Sequence, residues 1–198
     1  QFAWLEDQSA EQVERQLLLN IEAPIQLTRT LLPHLHKPAI IMNIGSSFGA
    51  IGYPGYSVYC ASKFALRGFS EALGRELEGS GIKVLHFAPR AARTRLNSEA
   101  AYEMNAELGT QTDSPQEVAE AAVIALCNET RRSWLGWPEK LFVRLNALLP
   151  GIVDRALAKQ LPIIERYARH LPPRTADTSA SAAPQPALSR PIPTKKEP

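Results

Sequence analysis

Two short apolar runs, residues 39–44 (AIIMNI) and 82–87 (IKVLHF), constrain this chain more than any other feature. Each is nearly continuous in apolar residues instead of alternating, which is the pattern of a strand buried on both faces of a parallel sheet. Between them, residues from Ser57 to about Glu78 place apolar side chains at helical spacing until Gly79 and Gly81 stop the pattern. Parallel neighbours need a long right-handed crossover, so the order strand, helix, strand predicts an α/β layer fold with a parallel sheet.

The flanking segments extend this reading. Residues 9–32 open on a Ser-x-x-Gln cap at Ser9 and Gln12 and continue as one long helix with Pro24 inside it. Asp113 to Glu117 is a second helix start, with Ser114 as cap and Pro115 in the first turn, and that helix is expected to reach about Asn128. Residues 133–136 read as a short third strand. Beyond Pro138, Leu141, Leu145, Leu148, Ile152, Leu157, Leu161 and Ile164 form an apolar stripe flanked by Lys140, Arg144, Arg155, Lys159, Arg166 and Arg169. Two readings of this amphipathic segment compete: peripheral contact with a membrane interface, or packing over a pocket or a subunit partner. From about residue 174 the chain is rich in Pro, Ala and Ser and is expected to be disordered.

Composition narrows the function classes. A net charge of +2 with mixed signs gives no reason to expect nucleic acid. Cys60 and Cys127 are too few and too far apart for a disulfide framework or a zinc site, which fits a reducing, cytoplasmic setting. No apolar run has the length of a bilayer span, and the first residues, QFAWLEDQSAEQ, do not read as a signal peptide. They begin without Met and already polar and helical, as an internal start would. His34, His36, His86 and His170 lack ligand spacing with carboxylates on a helix, so no metal site is expected.

The chemistry concentrates near Tyr59. Tyr59 and Lys63 are four residues apart on the central helix, so the phenol and the ammonium share one face. A fixed ammonium favours phenolate, and the expectation is a tyrosine pKa lowered towards the range of proton exchange with a carbonyl or alcohol oxygen. Ser46 lies 13 residues earlier, just after the first apolar run, at the sheet edge where open α/β folds bind ligands.

The stretch NIGSSFGAIGYPGYSVYCASKFALRGFS closely resembles the active-site region of the short-chain dehydrogenases/reductases. The resemblance runs from about Phe2 to Gly136 and implies a partial Rossmann-like, doubly wound parallel sheet with flanking helices, followed by C-terminal amphipathic helices. It implies a catalytic set of Asn20, Ser46, Tyr59 and Lys63. Ser47 competes for the serine role, and the family spacing favours Ser46. Pro24 has no amide hydrogen, so the carbonyl of Asn20 loses its helical donor and is free to hold a water of the family's proton relay. The alternative is an interior polar residue beside a proline kink.

Residues 89–94 (PRAART) resemble the family's Pro-Gly-x-x-x-Thr loop, which implies nicotinamide and phosphate contacts at Pro89, Arg90, Ala92 and Thr94 in addition to Tyr59 and Lys63. Arg90 replaces the expected glycine. It and Arg93 read equally well as ligand contacts or as solvated loop charges. The implied cofactor is NADP or NAD, although no glycine-rich turn follows a strand with dinucleotide-binding spacing. The implied partners are a small carbonyl or alcohol substrate and a second subunit joined through the helices at 9–32 and 57–78. Three regions are expected: 1–137 as the C-terminal part of the catalytic domain, 138–172 as the helical extension and 173–198 as the tail. The alternative function is that of an incomplete member of the family acting through interactions.

Overall fold

The computed structural model describes residues 1–94 and 96–169, so the expected tail and the last residues of the extension lie outside the described residues. Three parallel strands, β1 (Ala39–Ile44), β2 (Ile82–Ala88) and β3 (Arg132–Trp134), form one sheet in the order β1-β2-β3. Both continuous apolar runs are strands, as read. They pair in register from Ala39 opposite Ile82 to Ile44 opposite Phe87. β3 begins a residue before the expected third strand and ends earlier. The chain turns at Gly136, whose φ of 93° a side chain rarely adopts.

Seven helices wrap this sheet among the described residues: α1 (Ala10–Leu17), α2 (Ala23–Leu31), α3 (Ser57–Glu76), α4 (Glu99–Glu107), α5 (Pro115–Cys127), α6 (Trp137–Leu148) and α7 (Pro150–Arg169). Both expected capping boxes are present. The side chains of Ser9 and Ser114 accept from the amides of Gln12 and Glu117, whose own side chains reach back to the cap amides. Each box stabilises its helix start by about 1 kcal/mol. The helix expected over 9–32 is divided by a wide π turn, Leu18–Glu22, where the Ala23 amide donates to the Leu18 carbonyl five residues back. Pro24 causes the widening, because it offers no donor to the ladder. α4 has no counterpart in the sequence reading.

α3 packs on β2 and β1, and α1 and the π turn pack on α3 in turn. Leu66 and Leu73 of α3 are buried, as are Val84, Leu85, Phe87 and Ala88 of β2, whose alternating side chains show that the sheet is covered on both faces. A second cluster of Phe2, Ala101, Met104, Ile164 and Ala168 joins the N-terminal residues and α4 to α7. No described helix is long and apolar enough to cross a membrane. The outer edge of β1 has no strand beside it among the described residues, and Ile40 and Ile44 are exposed there.

Candidate active site

The segment after β1 is folded down onto β2 by two backbone hydrogen bonds, from the Gly45 amide to the Phe87 carbonyl at 2.7 Å and from the Ser47 amide to the Pro89 carbonyl at 3.0 Å. Glycine is required twice here. A Cβ on Gly45 would collide with the imidazole of His86, and one on Gly49 would lie 2.8 Å from the backbone oxygen of Lys63. These close approaches bring the turn Ser47–Gly49 against the start of α3. Ser46 accepts from the Phe48 amide at 3.2 Å, and its hydroxyl is near enough to the Tyr59 phenol to favour the phenolate.

An aromatic cluster fixes the ring of Tyr59. Phe48 stacks on Tyr53 at 4.8 Å and meets Tyr59 edge-on at 6.3 Å, while Tyr56 meets Tyr59 at 6.1 Å. Such contacts hold an aromatic ring in place while adding burial. Burial pushes the Tyr53 phenol up to about 12 and raises Tyr56 and Tyr59 as well. For Tyr59 burial outweighs the lowering effect of the nearby Ser46 hydroxyl. The expected lowering by Lys63 is therefore reversed. Its Nζ lies 5.7 Å from the ring centroid and donates to the Ile44 carbonyl at 3.1 Å, so the charge is directed at the strand end. Burial pulls the Lys63 ammonium below its ordinary value too.

Asn20 is tied to the same helix. Its Nδ2 donates to Ser62 Oγ at 3.0 Å, and that hydroxyl donates to the Tyr59 carbonyl at 2.7 Å. Ser62 is fully buried. The sequence reading missed this residue, although its place directly before Lys63 was the available signal. Asn20, Ser46, Tyr59 and Lys63 are thus linked through α3, directly or by one intervening residue.

The loop after β2 departs from expectation at Arg90. Arg90 forms a paired contact with Asp113, Nε to Oδ2 at 2.9 Å and Nη2 to Oδ1 at 2.5 Å, and also donates to Gln111 at 2.7 Å. Glu139 lies 3.7 Å from Nη1, the nitrogen that donates to Gln111. The guanidinium, read as either a ligand contact or a solvated loop charge, is held in an internal ion pair with a carboxylate that is 6% exposed. Backbone bonds between Ala91, Arg93 and Asp113 fasten the loop further, and Tyr102 donates to the Thr94 carbonyl at 2.6 Å. Ala92 forms a bridge with Asp113. Asp113 read only as the prelude to a helix cap, and nothing local marks its partner 23 residues away.

A parallel sheet with a phenol, an ammonium and a serine hydroxyl gathered beyond a strand's C-terminal end defines a class of dinucleotide-linked folds. The family model described as short chain dehydrogenase matches residues 2–105, and the chain belongs to that family. Among its relatives, the oxidoreductase claN of Passalora fulva is 43% identical over 96 residues, 48% of this chain and 44% of that protein. Dehydrogenase/reductase SDR family member 7B of Bos taurus is 31% identical over 173 residues, 83% of this chain and 53% of that protein. The chain spans about half the length of these curated relatives. A short-chain dehydrogenase from Streptomyces avermitilis superposes with a TM-score of 0.59 at 28% identity, over 84% of this chain and 66% of that one. A short chain dehydrogenase from Burkholderia cenocepacia in complex with NADP shares the fold, with a TM-score of 0.67 at 19% identity over 79% of this chain and 64% of that one.

Proposed function

We propose that the protein is an NAD(P)-dependent oxidoreductase that interconverts a carbonyl and an alcohol, with Tyr59 exchanging the proton. The observation that carries this reading is the convergence of three groups: the Tyr59 phenol, half-buried in its aromatic cluster, the Lys63 ammonium 5.7 Å from the ring centroid, and the Ser46 hydroxyl near enough to act on the phenol. NAD or NADP supplies or accepts the hydride when bound. An ammonium has three N–H groups, and the one bond recorded for Lys63 goes to Ile44. The remaining donors suit the hydroxyls of a nicotinamide ribose. Tyr59, Lys63, Pro89, Ala92 and Thr94 are the residues that would hold that end of the cofactor, whereas Arg90 fastens their loop.

A phenol with a raised pKa stays protonated at neutral pH, which suits it to donate to an oxygen that gains negative charge as a carbonyl is reduced. Ser46 holds the same oxygen by hydrogen bonding, and Lys63 stabilises the phenolate that results. Asn20 positions α3 through Ser62, and its carbonyl, to which Pro24 offers no amide four residues on, is the acceptor for a water that returns the proton. The chain divides into 1–137 as catalytic part and a helical extension that begins at residue 138. Subunits pair through the helices at 9–32 and 57–78, where Leu18, Leu19, Leu27, Leu31 and Phe64 are exposed. Free Cys60 and Cys127 fit a cytoplasmic setting.

Turnover of NADH or NADPH with a panel of aldehydes and ketones tests the reading. Tyr59→Phe is expected to lower kcat by about 10²–10⁴-fold, and unchanged turnover would overturn the assignment. The open edge of β1 favours a second reading, in which the 198-residue chain acts through interactions alone. Calorimetric titration of the chain with NADPH separates the two, because micromolar binding excludes the second.

A further inference from the structure

The apolar stripe of the C-terminal segment splits in the fold. On α7, Val153, Ile164 and Ala168 are buried, and Arg155, Lys159 and Arg166 face outward. α6 is the reverse. Its inner side is marked by buried Val143, by Asn146, which donates to the Ala50 carbonyl at 2.9 Å, and by Glu139 beside Arg90. At 100° per residue the opposite side carries Trp137, Leu141 and Leu148 within an arc of about 40°. These three are 73%, 55% and 79% exposed.

We propose that this outward face of α6 seats the protein on an anionic lipid surface. Large apolar residues on the solvent side of a helix are costly unless something covers them. Lys140 and Arg144 border the stripe, and neither has an ion pair among the described residues. Glu139, the helix's one acid, faces inward, so the charge presented with the stripe is wholly positive. That combination matches acyl chains beneath anionic headgroups, and Trp137 at the helix start suits the headgroup layer. A second copy docked face to face would bring like charges together. α6 leaves the sheet at β3, so a strand added at the opposite edge, beside β1, would not cover it. The inner side of α6 touches Ala50 and Arg90, in the loops after β1 and β2, so docking brings the rim of the candidate site to the bilayer. Apolar, membrane-dissolved carbonyls or alcohols are then the substrates, a corollary that rests on the oxidoreductase reading, whereas the surface itself does not.

Sedimentation of the 198-residue chain with vesicles tests the proposal. Expected is binding to phosphatidylcholine vesicles containing about 30% phosphatidylserine, weaker binding to phosphatidylcholine alone, and release as salt rises from about 0.1 to about 0.5 M. Leu141→Gln with Leu148→Gln should weaken binding at least about tenfold, with an unchanged melting curve because both positions are exposed. Lys140→Gln with Arg144→Gln should remove the preference for the anionic vesicles, and Tyr59→Phe should bind as the parent does, which keeps this outcome separate from turnover. Absence of binding to either vesicle, or equal binding by the leucine variant, overturns the proposal. So does light scattering in which that variant converts a dimer to a monomer, since the face would then be a subunit contact.

Discussion

Two loops leave the same edge of the sheet, one after β1 and one after β2, and they are held in different ways. The first, from Gly45 to Gly49, is held by backbone bonds and by glycines that permit close approach, which leaves the Ser46 hydroxyl and its neighbours on α3 facing one another. The second, from Pro89 to Thr94, adds to its backbone bonds with Asp113 a side-chain anchor, Arg90, that consumes its own donors on Asp113 and Gln111. Backbone anchoring leaves side chains for chemistry, whereas side-chain anchoring uses them as structure.

The largest expected effect breaks the second loop. Arg90→Ala leaves Asp113 nearly buried without its partner and is expected to cost about 3 kcal/mol by chemical denaturation. Adding Asp113→Asn should recover part of that loss, and independent effects would show that the pair does not anchor the loop.

His86, beneath the first loop, offers the next test. Both ring nitrogens are buried without hydrogen-bond partners, and burial followed by the nearby Arg67 charge pulls its pKa from 6.5 to about 4. As pH falls through that window the unfolded chain takes up a proton that the native chain does not. Stability attributable to His86 is therefore lost between pH 6.5 and about 4, by up to about 3 kcal/mol, and levels off below. Denaturation at a series of pH values should show a shallower decline for His86→Gln than for the parent; parallel curves would contradict the assignment.

Gly45→Ala places a methyl against the same imidazole and should cost about 2 kcal/mol. In the background of His86→Ala the same change should cost at least about 1 kcal/mol less, and strict additivity would show that the two positions do not meet. Smallest is Asn20→Ala, about 1 kcal/mol for the lost bond to Ser62. Ser62→Ala should add little to it if the two act as one link.

Much of the first loop's surroundings was legible in the sequence because the signals are local. Continuous apolar runs gave β1 and β2, cap boxes gave the starts of α1 and α5, and the four-residue step placed Tyr59 beside Lys63. In the second loop the role of Arg90 stayed open because its anchor, Asp113, is distant in sequence, and a tertiary ion pair leaves no periodic trace. The direction of the Tyr59 shift was hidden for the same reason, since burial by Phe48 and Tyr56 is a property of the fold. α4 was missed because its nine residues, EAAYEMNAE, are too short to establish a helical period.

The π turn at Leu18–Glu22 has a consequence for how this part of the chain can change. A π turn is an α-helix with one extra residue, so it offsets the phase of everything before it by about 100° relative to everything after it. Deleting any one residue there would straighten the rod and rotate α1 away from its seat on α3, even though composition and helical propensity would hardly change. The segment therefore tolerates substitution far better than a change in length.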